Sequence, residues 1–189
     1  MRVIAGKARS LQLKTPPGFY TRPTTDIQKE TLFNIFNLDL LDATFLDLYA
    51  GSGSIGIEAL SRGARYVAFV EKKREAINCI KENLHHTKLD ENAEVFAQDV
   101  IQAIRTLEQR GKTFDFVFMD PPYNSKQEKE ALFCLDESSI VNNDTIIVVE
   151  SSLETNFDYL EDTKFAVFRK KQYKTNQHVF IETSIGGNE

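Results

Sequence analysis

Asp120-Pro121-Pro122-Tyr123 brings together groups that suit one task. An ionised carboxylate only accepts hydrogen bonds, and a proline keeps its carbonyl while lacking a backbone N–H. Asp120 and the carbonyl of Pro121 therefore offer two acceptors with no competing donor, and Tyr123 offers an aromatic face. Such a set can hold a planar amino group by its two N–H bonds while a flat ring stacks on the tyrosine. The tetrapeptide follows Phe114-Asp115-Phe116-Val117-Phe118-Met119, which reads as a buried strand. Open α/β sheets bind ligands outside the carboxyl ends of their strands, so this loop is placed for chemistry. The competing reading is a proline turn after a core strand.

A second constellation lies upstream. Phe45-Leu46-Asp47-Leu48-Tyr49 reads as a strand, and Ala50-Gly51-Ser52-Gly53-Ser54-Ile55-Gly56 follows it. Gly51, Gly53 and Gly56 fit G-x-G-x-x-G, and a helix begins over Ile55 to Leu60. Glycines there permit a tight turn and let a ligand approach bare backbone, while the helix start offers free N–H groups. Glu71 lies 20 residues after Gly51 and ends the apolar run Val67-Ala68-Phe69-Val70. That is the spacing of an acid that holds ribose hydroxyls. In the stretch Glu71-Lys72-Lys73-Arg74-Glu75 the same carboxylate would also serve a helix start. Asp99, after Glu94-Val95-Phe96-Ala97-Gln98, could accept from the exocyclic amine of an adenine or cap the helix from Val100. A site of this kind suits NAD or S-adenosylmethionine. The Asp120 loop separates the two, because hydride transfer needs no paired acceptors for an amine and methyl transfer to an amine does.

The elements that must position these loops are legible as an alternation. Strands are expected at 44–49, 66–70, 93–97, 114–119 and 145–150, with helices near 54–62, 73–86, 100–110 and 126–136. That order implies βαβ units and a mostly parallel sheet. Residues 164–173 and 178–183 read as two further strands, paired antiparallel through a polar turn around Thr175-Asn176. Ahead of the alternation, residues 2–13 read as a short hairpin or extended arm. Thr15-Pro16-Pro17-Gly18 breaks the chain, and Thr24 or Thr25 caps a helix whose apolar face joins Ile27, Leu32, Ile35 and Phe36. Residues 1–40 thus form an arm and helix, and residues 41–185 the main domain. His85 and His86 fall near a helix end, and His178 in the late turn.

The 189 residues carry a net charge of −5, which argues against nonspecific binding to nucleic acid. The distribution is uneven. Residues 1–30 hold six basic side chains against Asp26 and Glu30, and residues 163–178 hold Lys164, Arg169, Lys170, Lys171 and Lys174 with no acid. Two basic ends either meet to contact phosphates or remain solvated surface stretches. No apolar run approaches the ~18 residues of a membrane span, and the first residues lack a signal-peptide core. Cys79 and Cys134 are isolated, without zinc spacing or CxxC, as expected of buried or half-buried thiols in a reducing cytoplasm. No metal is expected, and a monomer is the default.

With these pieces in place the sequence resembles the class I S-adenosylmethionine-dependent methyltransferases, and among them the RsmD type. The resemblance rests on Val3-Ile4-Ala5-Gly6, on Arg22-Pro23-Thr24-Thr25-Asp26 with Glu30 to Phe36, on Asp47-Leu48-Tyr49-Ala50-Gly51-Ser52-Gly53, and on Asp120-Pro121-Pro122-Tyr123. The glycine loop and the tetrapeptide are shared by many amine methyltransferases; the Arg-Pro-Thr block is more particular to this type. One departure is Tyr173-Lys174, where such proteins often carry Tyr-Gly.

The resemblance implies a Rossmann-like fold with a seven-stranded, mostly parallel sheet, an antiparallel last strand and helices on both faces. It implies methylation of N2 of a guanine in small-subunit (16S) ribosomal RNA, guanine 966 in the family's usual name, on naked RNA or an assembling subunit. The implied cofactor residues are Asp47, Tyr49, Gly51, Gly53, Glu71, Asp99 and Asp120. Glu71 would hold the ribose, Asp99 would contact the adenine, and Asp47 would support the loop or the methionine amino group. Asp120 to Tyr123 would receive the base, with Arg22, Thr24, Lys170 and Lys171 on the surrounding RNA. No histidine is required as a base, because the methylated nitrogen becomes acidic and loses its proton late. The rivals are an adenine-N6 methyltransferase, where Asn is common in place of Asp120, an NAD-dependent dehydrogenase, and a noncatalytic RNA-binding module.

Overall fold

The computed structural model describes residues 1–16, 26–36, 40–123 and 125–184. Seven strands run in the order β3-β2-β1-β4-β5-β7-β6 in one mixed sheet. The chain divides into two compact units, Met1–Asp99 and Val100–Glu189.

In the first unit, β1 (Thr44–Leu48), β2 (Tyr66–Val70) and β3 (Ala93–Phe96) pair in parallel. All five residues of β1 and the last four of β2 are buried, the continuous burial expected of parallel strands covered on both faces. The helices are α1 (Asp26–Phe36), α2 (Ser54–Ser61) and α3 (Arg74–Thr87). Every residue of α2 is buried, including Glu58 and Ser61. A buried carboxylate must be paired, and Glu58 is: it accepts from the backbone of Ile4 at 2.8 Å and Ala5 at 3.0 Å, from Arg62 Nε at 2.8 Å, and lies 3.3 Å from the Lys29 ammonium.

Those bonds stitch the N-terminal arm to α2. The arm folds back on itself as expected of a hairpin, with Arg2 bridging Gln12 and the Val3 N–H donating to Leu11. Gly6 has φ +81°, and a Cβ there would lie 1.8 Å from the carbonyl oxygen of Ser61, so only glycine fits.

The face of α1 differs from the apolar face read from sequence. Ile27 is 74% exposed, whereas Lys29, Leu32 and Phe33 are buried. Lys29 donates to the carbonyl of Arg2 at 2.6 Å and pairs with Glu58, which fixes the rotation of the helix. Leu32 and Phe33 lie three and four residues on, on the same face; Ile27, two residues back, points away. The expected cap at Thr24 or Thr25 lies outside the described residues.

In the second unit, β4 (Phe116–Met119) and β5 (Ile146–Ser152) are parallel, and β7 (Asn176–Thr183) pairs antiparallel with both β5 and β6 (Phe165–Gln172). Helices α4 (Val100–Gln109) and α5 (Gln127–Glu137) complete it. The turn between β6 and β7 falls at 173–175, so Asn176 and His178 are strand residues and not turn residues. Both are buried, and His178 sits opposite Glu150 of β5. Antiparallel pairing with β5 keeps this polar start of β7 inside the sheet.

Candidate active site

The first unit builds the glycine loop. Beyond β1, Tyr49 (φ 60°), Gly51 (φ 58°) and Gly53 (φ 76°) all take left-handed backbone conformations. Glycine does this freely, and Tyr49 does it at a cost held in place by its surroundings. The Ala50 N–H donates to Val70 at 3.0 Å and the Gly53 N–H to Ala50 at 2.7 Å, closing the turn against the end of β2. Gly56 serves packing: a Cβ there would lie 2.3 Å from Phe69 Cε1 and 2.9 Å from Val67 Cγ1. Helix α2 therefore lies directly on β2.

Two carboxylates tie this loop. Asp47 Oδ2 accepts from the Gly56 N–H at 2.9 Å. Burial drives the Asp47 carboxyl up to about 7, the Gly56 bond opposes the shift, and the charge of Glu71 adds to it. Glu71 accepts from Gly51 N–H at 3.0 Å through Oε2, and from the N–H groups of Lys72 and Lys73 at 2.9 Å each through Oε1. The helix-start duty foreseen for Glu71 is thus real. A carboxylate has about four acceptor sites, so these three bonds leave Oε2 a further lone pair for a ligand hydroxyl.

A residue that the motifs did not flag completes the unit. Asn83 on α3 accepts the Lys14 N–H at 2.8 Å and donates to the carbonyls of Ser52 at 2.9 Å and Lys14 at 3.0 Å. It joins the glycine loop to the arm. Nothing in its helical surroundings sets this asparagine apart. Asp99 is exposed and directly precedes α4 in the chain.

The second unit builds the acceptor loop. Asp120 to Tyr123 directly follow β4; Pro121 is buried, Pro122 exposed and Tyr123 48% exposed. The Tyr123 hydroxyl donates to Glu150 Oε1 at 3.2 Å. Asn176 Nδ2 donates to the same oxygen at 2.6 Å, and His178 Nε2 lies 3.2 Å from Glu150 Oε2. Burial works to raise the Glu150 carboxyl, but the hydrogen bonds and neighbouring charge of His178, with those from Asn176 and Tyr123, hold it below the ordinary value. Burial raises the Tyr123 phenol, and the negative charges of Glu150 and Asp120 raise it further. Glu150, Asn176 and His178 stand far from the tetrapeptide in sequence, and only the register of β5 and β7 brings them to it.

Lys170 and Lys171 are exposed on β6, at the edge of the sheet, beside Arg169. Charge on an edge strand also guards against edge-to-edge pairing. Arg22 and Thr24 lie outside the described residues. Among the described residues there is no group of three or more His, Cys, Asp or Glu arranged to hold a metal ion, and no helix is long and apolar enough to cross a membrane.

A sheet of this order, with a glycine loop after β1 and an acid after β2, is the Rossmann-like class I methyltransferase fold. The Escherichia coli yhhF protein shares it with a TM-score of 0.82 and 31% identity, over 98% of this chain and 99% of that one. YlbH of Bacillus subtilis is 40% identical over 154 residues, 82% of this chain and 84% of its own. Ribosomal RNA small subunit methyltransferase D of Escherichia coli K12 is 36% identical over 154 residues, 82% of this chain and 76% of its own. The family described as Conserved hypothetical protein 95 matches residues 1–182, and the chain belongs to it: it is a methyltransferase of the RsmD type.

Proposed function

We propose that the protein methylates the exocyclic N2 of a guanine in small-subunit ribosomal RNA, guanine 966 in the family's usual name, with S-adenosylmethionine as donor. The observation that carries this reading is the Asp120–Tyr123 loop at the carboxyl end of parallel β4, in a chain 36% identical to a ribosomal RNA small subunit methyltransferase D. The donor supplies a methyl group on a sulfonium. The glycine loop suits that donor: Asp47 and Glu71 gather negative charge beside bare backbone, and a cationic ligand would relieve their mutual repulsion. Gly51 and Gly53 line its methionine part, with Asp47 and Tyr49 behind them. Glu71 holds the ribose through the free lone pair of Oε2, and Asp99 meets the adenine amine.

The acceptor loop does the rest. A guanine amine is a poor nucleophile because its lone pair is delocalised into the ring. Asp120 accepts one of its N–H bonds and the Pro121 carbonyl the other, which favours a pyramidal nitrogen and frees the lone pair. Pro122 stiffens the loop and Tyr123 stacks on the base. Orientation of this kind can supply up to about 7–11 kcal/mol of the barrier. The base must be unpaired or flipped to reach the loop. Arg22, Thr24, Lys170 and Lys171 hold the neighbouring RNA, and the work falls in the cytoplasm, on naked RNA or an assembling subunit. The test is incubation with tritiated S-adenosylmethionine and small subunits or their RNA from cells lacking this activity, followed by nucleoside analysis. Label in N2-methylguanosine supports the reading. Label in N6-methyladenosine, or none, rejects it.

A further inference from the structure

The function proposed above gives the buried carboxylate of Glu150 no part in holding donor or amine, yet it is the centre of a polar cluster in the second unit. It is 4% exposed and receives Tyr123 Oη, Asn176 Nδ2 and His178 Nε2. On the far side of the imidazole, Tyr173 Oη lies 3.3 Å from His178 Nδ1. Through its two ring nitrogens the imidazole thus links Glu150 to Tyr173. The imidazole also packs edge-on against Phe118 of β4, with ring centroids 6.1 Å apart, two residues before Asp120. The cluster is rooted in β4, β5 and β7, and its most exposed member is the ring of Tyr123.

We propose that Glu150, oriented by Asn176 and His178, is a positioning residue that anchors the Tyr123 hydroxyl and so fixes the plane on which the target base stacks. This rests on the function proposed above and names what sets the geometry of its acceptor loop. A tyrosine on a loop would otherwise turn about its side-chain bonds. With its hydroxyl held by a carboxylate that three rigid strands support, it presents a face of one orientation. The hydroxyl is then engaged inward, so Tyr123 recognises its target as a flat ring and not through a hydrogen bond.

Three variants, Tyr123→Phe, Glu150→Gln and the double substitution, test this alongside wild type. Tyr123→Phe keeps the ring and removes only the anchored atom, so it should fold. The first readout needs no activity: the tyrosine ring-carbon NMR signal lost in Tyr123→Phe is followed with pH. It should titrate later than ordinary tyrosines in wild type and move to lower pH in Glu150→Gln, where a charge is removed. The second readout is kinetic. Each single variant should lower kcat for RNA roughly tenfold, as for a lost bond to a charged group, with donor KM unchanged. The double variant should be no worse than the weaker single. A Tyr123 titration unmoved by Glu150→Gln, a Tyr123→Phe protein with wild-type kcat, or losses that multiply in the double would each overturn the proposal. Wild type that transfers nothing to ribosomal RNA would overturn the underlying function and this inference with it, whatever the titration shows.

Discussion

The glycine loop and the Asp120 loop both leave the carboxyl end of a parallel strand, yet they are held by different means. The glycine loop is held through its backbone: Asp47 bonds the Gly56 N–H, Glu71 bonds Gly51 and its own two successors, and Asn83 bonds the Ser52 carbonyl. Its carboxylates face backbone N–H groups, and its shape follows from three left-handed residues. The Asp120 loop has a local bond from Ser125 to the Pro122 carbonyl, but its tyrosine is held through a side chain, Glu150, 27 residues away on β5. In the proposed function the donor meets a loop braced through its backbone, and the target base meets a loop whose tyrosine is braced through side chains of the second unit.

This division can be broken by substitution. Asp120→Ala removes the proposed acceptor for the target amine and should cut methyl transfer by about 10²–10³-fold, in the range seen when one preorganised electrostatic contact is deleted. Measured single-turnover rates near wild type would eliminate its role. Glu71→Ala acts on the other loop. It removes the proposed ribose acceptor and the carboxylate that Gly51 N–H bonds, so donor Kd by calorimetry should rise about tenfold or more. An unchanged Kd would reject the ribose assignment.

Charge reversal of Lys170 and Lys171 together should weaken RNA binding and make its dependence on salt less steep, each lost phosphate contact reducing the log–log slope by roughly 0.7–0.9. Identical slopes would show that the edge strand is only a solvated surface. The last effect concerns stability and not activity. Asp47 binds its proton more tightly folded (about 7) than its ordinary 3.8, so its contribution is fully present below about pH 4 and declines as pH rises to about 7. Relative to Asp47→Asn, which keeps an acceptor for Gly56 and does not titrate, wild type should lose up to about 1.4 kcal/mol per pH unit across that window. Urea unfolding of both proteins between pH 4 and 8 measures it, and parallel curves would refute the shift.

The same contrast explains what could be read from residues alone. Strand–helix alternation was legible because β2 and β4 are continuous apolar runs and β1 and β5 are apolar over most of their buried length. The glycine loop was legible because its physics is local: positive φ, close approach and an acid at fixed spacing. The start of β7 was not. Asn176-Gln177-His178 is polar and resembles a turn, and its burial follows from pairing with Ser152, Ser151 and Glu150. The rotation of α1 was hidden for a similar reason. A lysine reads as a solvent-facing residue until Glu58, 29 positions away, is seen to bury it. Asn83 and Glu150 carry no local mark either; each is defined by a partner more than 25 residues distant.

One titration bears on the division of labour between the loops: S-adenosylmethionine into wild-type and Asp120→Ala protein, with transfer to small-subunit RNA assayed on the same samples. If the loops work as described, donor Kd stays within about twofold while transfer is lost. Loss of donor binding in step with transfer, or transfer that survives, would show that Asp120 does not serve the target amine.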